Sequence, residues 1–126
     1  GGGIPVIPSE VNGYDGVEAV VDKDLTASLL ARRLAADLLV ICTAVPHVSV
    51  DFGKPTERPL RRVTAQEIRD YDAEGQFSEG SMAPKVRACA DFVTGGGVGT
   101  RRRAIITDMH TLHDALAGQA GTVIVP

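Results

Sequence analysis

Two lysines stand where the sequence predicts that helices begin. Lys23 follows Asp22 in the segment VVDKDLTASLLARR, and Lys85 follows Ser81 in the segment EGSMAPKV. Asp22 or Asp24 is predicted to cap the first helix, and Ser81 the second. A helix N-terminus carries partial positive charge and unpaired N–H groups, so a lysine there is unfavourable on its own. Each lysine alone fits an ordinary solvent-exposed side chain, but a phosphate group would make both positions favourable, and the matching contexts predict a shared phosphate site.

Strand and helix patterns alternate along the chain and would position these lysines. The run DLLVICT at 37–43 is continuously apolar, as in a buried parallel strand, and TAQE at 64–67 is a capping box that opens a helix. The segment 47–52 alternates and predicts a half-exposed strand. Further strands are predicted at 4–7, 17–21, 60–63, 103–107 and 122–125, and helices at 24–36, 64–73, 81–93 and 112–116. This order predicts an α/β layered fold with a mainly parallel sheet.

Composition points to one globular domain over residues 1–126. The chain is 44% hydrophobic and 23% charged, and its formal net charge is −3 at pH 7. The negative charge argues against nucleic acid as a partner, and the run Arg101–Arg103 is interpreted as a solvated loop edge. No apolar run approaches the roughly 20 residues that span a bilayer. Cys42 ends an apolar run and Cys89 lies in a helical pattern, so both are predicted to be buried thiols in a reducing cytoplasm.

Other chemical motifs are weak or missing from the sequence. No glycine is followed by Lys and then Ser or Thr, as a P-loop requires, and GGGVGT at 95–100 fits a helix end and loop better than a dinucleotide fingerprint. His110 and His113 have a spacing that a metal site could use, but a surface helix is favoured, and His47 is predicted to be structural. Thr43 ends a buried strand, at the edge where open α/β sheets bind ligands, so ligand binding and a structural cap stay equal alternatives.

Five segments carry a resemblance to a known family: GGGIPVI, GVEAVVDKDLTASLLA, FGKPTERPLRRVT, EGQFSEGSMAPKV and GTVIVP. In this order they resemble the C-terminal half of the carbamate kinases, within the amino acid kinase family, and the resemblance covers nearly the whole chain. The motifs DKD and GSM-x-PK, with GQF shortly before the latter, separate this family from generic α/β domains. The resemblance implies a three-layer αβα sandwich. It also implies reversible phosphoryl transfer between ATP and carbamate, giving ADP and carbamoyl phosphate, with Mg²⁺ carried by the nucleotide.

The resemblance further implies roles for individual residues. Lys23 matches a lysine at the phosphoryl-transfer centre, Lys85 matches one that holds the nucleotide phosphates, and Glu18 is assigned to the catalytic set where some relatives have aspartate. Asp22 and Asp24 could orient Lys23 and a metal-bound water. Nucleotide contacts are expected from Thr43, Ala44, Val45, Gly80, Ser81, Met82 and Lys85, and acceptor or phosphate-loop contacts from Gly1, Gly2 and Gly3. The intact protein is expected to form a homodimer.

The turn after Val45 departs from the family, because Pro46, His47 and Ser49 stand where the family has an acidic residue and then aromatic residues. The chain starts within the glycine loop and without an initiator methionine, so it is interpreted as the nucleotide-binding lobe of a longer protein, inactive alone. Two alternatives stay open: another amino acid kinase with a different acceptor, and a non-catalytic nucleotide-binding or oligomerising module of the same fold.

Overall fold

The computed structural model of the chain describes residues 2–96 and 101–126. Gly1 and most of the glycine-rich segment predicted to be a loop, residues 97–100, lie outside this part. The described residues form β1 (Val6–Ser9), β2 (Gly13–Gly16), α1 (Lys23–Arg33), β3 (Leu38–Cys42), β4 (Val48–Val50), β5 (Arg58–Leu60), β6 (Arg62–Thr64), α2 (Ala65–Ala73), α3 (Met82–Thr94), β7 (Arg103–Thr107), α4 (Leu112–Leu116) and β8 (Thr122–Val125).

The central sheet has the strand order β3-β7-β8-β6. β3 pairs with β7 in parallel, in a register that places Leu38 opposite Arg103, and β6 pairs with β8 in parallel. β7 and β8 are antiparallel, so the sheet is mostly parallel. β7 is buried at four of its five positions, as expected of a strand inside an α/β sheet. The predicted α/β fold with a mainly parallel sheet is confirmed.

Helix α3 is the centre of the helical layer and packs against α1, α2 and the sheet. Seven of its thirteen residues are buried: Ala83, Val86, Ala88, Cys89, Ala90, Phe92 and Val93. Small residues alternate with larger ones along it, which lets neighbouring helices approach closely while Phe92 fills the core. This burial fixes where the first turn of α3 lies relative to α1.

The starts of α1 and α2 follow the sequence closely. Thr64 accepts a hydrogen bond from the Glu67 backbone N–H, and the Glu67 carboxylate accepts one from the Thr64 backbone, so the predicted capping box is present. Asp22 Oδ1 accepts hydrogen bonds from the backbone N–H groups of Asp24 and Leu25, at 2.8 and 3.0 Å. Of the two predicted caps of α1, Asp22 is therefore the one that forms.

The start of α3 differs from the prediction. Ser81 occupies the N-cap position, but its side chain makes no capping hydrogen bond, so the predicted Ser81 cap is wrong. Ser78 supplies the contacts instead: its carbonyl oxygen accepts from the Ala83 N–H at 3.0 Å, and its Oγ accepts from the Met82 N–H at 3.4 Å. The Ser81 side chain is thereby left at the surface, where a ligand can reach it.

The N-terminal segment forms a β-hairpin that the sequence analysis missed. β1 and β2 pair antiparallel, with Ser9 opposite Gly13, so the strand predicted at 4–7 lies two residues later and the one predicted at 17–21 is wrong. Asn12 Nδ2 donates to Asp15 Oδ1 at 2.9 Å, and Gly13 has a φ of 78°, a left-handed conformation that favours glycine. The dipeptide Asn-Gly was the available signal for this hairpin.

Strand β4 is more buried than its alternating sequence predicts. All three residues are buried, because β5 covers one side and the Val48 N–H donates to Thr122 Oγ1 at 2.8 Å on the other. The predicted half-exposed strand is wrong in this respect. The strand predicted at 60–63 is divided at Arg61 between the end of β5 and the start of β6.

Two predicted burial states are also wrong. Cys42 is exposed, because it is the last residue of β3 and reaches beyond the packed layer, whereas Cys89 is buried as predicted. Arg102 is buried rather than solvated: its guanidinium lies 5.4 Å from the centre of the Phe92 ring and donates to the Arg32 carbonyl oxygen at 3.4 Å. Within the described residues, no helix is long and apolar enough to cross a membrane.

Candidate functional site

The first turns of α1 and α3 bring the two predicted lysines to one carboxylate. Lys23 Nζ lies 2.9 Å from Asp24 Oδ1, and Lys85 Nζ lies 3.0 Å from Asp24 Oδ2. Lys85 Nζ also donates to the Ser81 carbonyl oxygen at 3.3 Å. We call Lys23, Asp24 and Lys85 the lysine cluster.

The three charges of the lysine cluster differ in their exposure to solvent. The Asp24 side chain is 7% exposed and that of Lys85 is 13% exposed, whereas that of Lys23 is 63% exposed. Burial by itself would raise the pKa of Asp24, but the hydrogen bonds and charges of Lys23 and Lys85 outweigh it and hold this pKa below its usual range. The hydrogen bond to Asp24 raises the pKa of Lys23. Asp24 is therefore ionised and both lysines have a fixed counterion at neutral pH.

The lysine cluster carries one net positive charge, and two helix N-termini add to it. Asp24 uses both oxygens on the lysines, so it holds the ammonium groups in place without cancelling both charges. An anion with several oxygen atoms, such as a phosphate, could bind the exposed ammonium group of Lys23, where the dipoles of the two helices add to the positive potential. The geometry thus supports the shared anion site that the sequence predicts.

A cavity of about 340 Å³ adjoins the lysine cluster. It is lined by Thr43, Ala44, Val45, His47, Ser49, Phe52, Gln76, Phe77, Ser78, Ser81 and Met82. The cavity and the lysine cluster meet at Ser81, because this residue lines the cavity and its carbonyl oxygen accepts a hydrogen bond from Lys85. A volume of this size is in the range of small-molecule sites, and its walls combine apolar and aromatic side chains with a few polar ones.

The walls of this cavity come from four parts of the chain. The turn after β3 contributes Thr43 to Val45, the β4 region contributes His47, Ser49 and Phe52, and the remaining walls come from the loop before α3 and its first turn. Burial, with the charge of Arg61, lowers the pKa of His47 below its ordinary value, so this imidazole is neutral at pH 7.

A second cleft lies between α1 and β3. Its lining residues are Lys23, Asp24, Thr26, Ala27, Leu30, Val40, Ile41 and Cys42, and its volume is about 310 Å³. Because Lys23 and Asp24 form part of it, the lysine cluster borders this cleft as well as the cavity. The exposed ammonium group of Lys23 is therefore accessible from this cleft.

Five of the residues expected to contact a nucleotide line the cavity together: Thr43, Ala44, Val45, Ser81 and Met82. Gly80 does not line it and is exposed. Glu18 is also exposed and makes no ion pair or side-chain hydrogen bond within residues 2–96 and 101–126. The structure therefore does not bring Glu18 to either lysine through a direct bond.

The glycine loop comes close to the start of α1. A Cβ on Gly2 would clash with the Val21 carbonyl oxygen, and Thr26 Oγ1 donates to the Gly2 carbonyl oxygen at 3.4 Å. Only glycine fits this close backbone approach. Gly3 has a φ of 91°, and Gly1 lies outside the described residues.

Six cavity residues were missed by sequence reasoning or given another role: His47, Ser49, Phe52, Gln76, Phe77 and Ser78. The motif GQF contains two of them and was noted only as part of a pattern. Ser49 and Phe52 both belong to the segment 47–52, which was interpreted as a half-exposed strand. Nothing local in the sequence shows that this segment faces the loop before α3.

Comparison with known proteins gives matches over almost all of the chain. The model of the amino acid kinase family matches residues 1–108. The carbamate kinase of Thermoplasma volcanium is 52% identical over all 126 residues, which are 40% of its length, and that of Staphylococcus haemolyticus is 46% identical over 98% of this chain and 39% of its own. The chain thus spans about two fifths of the length of the curated relatives it matches.

Solved structures agree with these matches. The carbamate kinase from Giardia lamblia bound to AMP-PNP superposes with a TM-score of 0.88 at 43% identity, covering 98% of this chain and 38% of that one. A protein of Aeropyrum pernix K1 gives a TM-score of 0.86 at 48% identity, with the same coverage of both chains. The uridylate kinase of Archaeoglobus fulgidus, at 19% identity, covers 85% of this chain and 47% of its own; it shares the fold, with a TM-score of 0.57.

Proposed function

The chain belongs to the amino acid kinase family, and from this we propose that residues 1–126 form the nucleotide-binding lobe of a carbamate kinase. The protein that contains them would transfer a phosphoryl group reversibly between ATP and carbamate, giving ADP and carbamoyl phosphate. The identity of 46–52% to two curated carbamate kinases supports this choice of reaction over other reactions of the family.

One observation carries the mechanism: a single buried carboxylate holds two lysines beside a cavity. Phosphoryl transfer needs little covalent chemistry and depends on charge stabilisation and positioning. We assign the cavity to the nucleoside and the lysine cluster to its phosphates. Ser81, which touches both, marks the point where the two parts of the nucleotide meet.

The two lysines have different roles in this proposal. The Lys85 side chain is mostly buried, and its ammonium group donates hydrogen bonds to Asp24 and to the Ser81 carbonyl oxygen. This fixed position suits it to holding phosphates in the ground state. Lys23 is largely exposed at the border of the second cleft, so its ammonium group can stay in contact with the phosphoryl group as that group moves from donor to acceptor. Asp24 is a positioning residue, since it acts through the lysines.

Mg²⁺ fits this site as a partner of the nucleotide. Asp24 has both oxygens bonded to lysines, and Asp22 uses Oδ1 to cap α1. Within the described residues no group of three or more His, Cys, Asp or Glu side chains could hold a metal ion. Mg²⁺ commonly binds through phosphate oxygens, waters and one or two carboxylates, so Asp22 is the carboxylate we assign to its water shell. When bound, the ion would neutralise phosphate charge.

The acceptor is assigned to the side of Lys23 that faces the glycine loop. The backbone of Gly2 lies against Val21, just before α1, and its carbonyl oxygen accepts from Thr26 Oγ1 in the first turn of that helix, so the described part of the glycine loop lies beside the start of α1. We keep Glu18 in the catalytic set as an acceptor-side residue. The intact protein is proposed to act as a homodimer in the cytoplasm, where the free thiols Cys42 and Cys89 would stay reduced.

Two measurements on the intact protein test the proposal. Calorimetry should show ADP binding, and a coupled assay with ADP, Mg²⁺ and carbamoyl phosphate should show ATP formation. Binding without transfer would favour a non-catalytic nucleotide-binding module. Transfer to a different acceptor would favour another amino acid kinase.

A further inference from the structure

Arg87 in α3 joins two other parts of the chain outside the cavity. Its guanidinium donates to the carboxylate of Asp72, in the last turn of α2, through Nε and, at 3.2 Å, through Nη2. The two terminal nitrogens also donate to the carboxylate of Glu79, in the loop before α3, at 2.7 and 2.8 Å. Bidentate contacts of this kind are the geometry in which arginine binds carboxylates most specifically. Arg87 therefore ties the loop 74–81 to the end of α2.

This loop forms one wall of the cavity. The residues of 74–81 that line the cavity are Gln76, Phe77, Ser78 and Ser81. Glu79 does not line the cavity, but it lies between Ser78 and Ser81 in the sequence. The Ser78 carbonyl oxygen accepts from the Ser81 N–H at 3.1 Å, so these residues form one turn with Glu79 inside it. The contact with Arg87 thus holds a turn whose two ends belong to the cavity wall.

The start of α3 is held from two sides. Residues two positions apart point about 200° apart around a helix, and Lys85 accordingly binds Asp24 of α1 while Arg87 binds Asp72 of α2. Lys85 also donates to the Ser81 carbonyl oxygen, at the end of the loop, at 3.3 Å. A shift of this loop would therefore move both the cavity wall and an acceptor of Lys85.

Helix stability explains only part of this network. Asp72 lies near the C-terminus of α2, where the helix dipole makes a carboxylate unfavourable and a cation offsets the effect. The Glu79 side chain, by contrast, is 75% exposed. Exposed ion pairs add little to the free energy of unfolding, because water solvates both charges well. The bond between Glu79 and Arg87 therefore contributes little to stability, but it restricts the position of the loop.

We propose that Arg87 is a positioning residue for nucleotide binding, which acts through Glu79 by holding the loop 74–81 in the shape of the cavity wall. This assignment rests on the proposed function. Arg87 does not line the cavity, so it acts without touching the nucleotide or the transferring group. Loosening the loop should weaken nucleotide binding and leave the chemical step at Lys23 unchanged, which raises KM and not kcat.

Three substitutions separate this role from the packing of α2 on α3. Glu79→Gln removes the charge on the loop and keeps the pair between Arg87 and Asp72. Arg87→Ala removes both contacts. Arg69→Ala is the matched control, because Arg69 also joins α2 to α3, through Asp91 at 3.1 Å, and makes no ion pair with the loop. Thermal melting of Glu79→Gln should be close to that of wild type.

The decisive experiment combines calorimetry with ADP and steady-state kinetics on the intact protein. ADP affinity should fall about three- to tenfold in Glu79→Gln and in Arg87→Ala, with kcat within about twofold of wild type, and it should be unchanged in Arg69→Ala. The double variant should bind ADP no more weakly than Arg87→Ala, because both changes break the same contact. Wild-type ADP affinity in Glu79→Gln would overturn the inference, as would an equal loss in Arg69→Ala.

Hydrogen exchange measured on the same proteins tests the cause of any loss. The amides of residues 74–81 should exchange faster in Glu79→Gln than in wild type. A loss of ADP affinity with unchanged exchange in this segment would also overturn the inference. If Arg87→Ala does not fold, Glu79→Gln decides by the same criteria. Failure of the wild-type protein to bind ADP would refute the proposed function and this role with it, whereas wild-type binding that Glu79→Gln leaves intact would refute the role of Arg87 alone.

Discussion

Lys85 and Asp24 lie 61 residues apart in the sequence and form an ion pair of 3.0 Å between the first turns of two helices. Both side chains are largely removed from solvent, and the second oxygen of Asp24 is bonded to Lys23. This pair joins α1 to α3 and sets the distance between the two lysines. The behaviour of the site should therefore depend on Asp24 even though it is not expected to touch the transferring group.

Replacing Asp24 by asparagine should destabilise the protein in a pH-dependent way. Removing one partner of a buried ion pair leaves the other charge uncompensated, at a cost of about 3–5 kcal/mol. The pKa of Asp24 is lowered in the folded state, so its contribution is complete above its ordinary value of 3.8 and is lost as the pH falls through the lowered value. Melting temperatures of wild type and Asp24→Asn should thus converge towards pH 2. A constant difference from pH 7 to pH 2 would contradict this.

Replacing Lys85 by alanine should weaken nucleotide binding. The loss of a charge-assisted contact to phosphate is worth roughly 1.5–3 kcal/mol, which is about ten- to a hundredfold in affinity for ADP. Calorimetry is the measurement, and Lys54→Ala is the matched control, because Lys54 pairs with Asp51 at 2.8 Å and does not line the cavity. Unchanged ADP affinity in Lys85→Ala would remove this residue from the site.

Replacing Lys23 by alanine should act mainly on the chemical step. Its exposed ammonium group is proposed to stabilise charge that develops during transfer, so kcat should fall by roughly a hundredfold or more while KM for ATP changes little. Steady-state kinetics on the intact protein measure both constants. If KM alone rises, Lys23 contributes to ground-state binding instead.

Residues 1–126 expressed alone should not convert ADP and carbamoyl phosphate into ATP. Transfer requires the acceptor at roughly 3–3.5 Å from the phosphoryl group, and in this proposal the glycine loop supplies only part of the acceptor site. The isolated chain should also self-associate, because β3 is at the edge of the central sheet and many large apolar side chains are exposed. In the segment 4–34 these are Ile4, Val6, Ile7, Val11, Tyr14, Val17, Val20, Leu25, Leu29, Leu30 and Leu34.

The two assays for this chain are ATP formation and light scattering over a range of concentrations. The intact protein at equal molarity is the positive control for the first. Robust ATP formation by residues 1–126 would show that the acceptor site is wrongly assigned. A monodisperse monomer in light scattering would show that the exposed apolar side chains do not cause self-association.

Local patterns were enough for the elements whose signals are contained within a few residues. The Thr64–Glu67 capping box, the strand at 103–107 and the helix at 112–116 were predicted with their observed bounds, because caps and apolar runs act over short distances. The two lysines were found in the same way, since a helix start is a local feature. What a local pattern does not contain is the partner across space.

Asp24 illustrates that limit within the site. The sequence offered it as a helix cap or a residue that orients Lys23, but its contact with Lys85 depends on how α1 packs against α3. Ser49 illustrates it for the cavity, because β4 is buried by β5 and by Thr122, which come from separate segments. In both cases the decisive contact is tertiary, and one sequence without its fold does not specify it.

The long-range contacts described above also bear on how the molecule folds. Val48 and Thr122, joined by a buried hydrogen bond, are 74 residues apart, whereas the capping box of α2 closes over three. Contacts between distant residues require more loop closure and form more slowly than local ones. In refolding experiments, helical circular dichroism should therefore recover before affinity for a fluorescent ADP analogue, and simultaneous recovery would show a single cooperative step. The contact between α1 and α3 and the wall of the cavity at β4 are both expected to form after the local helix caps.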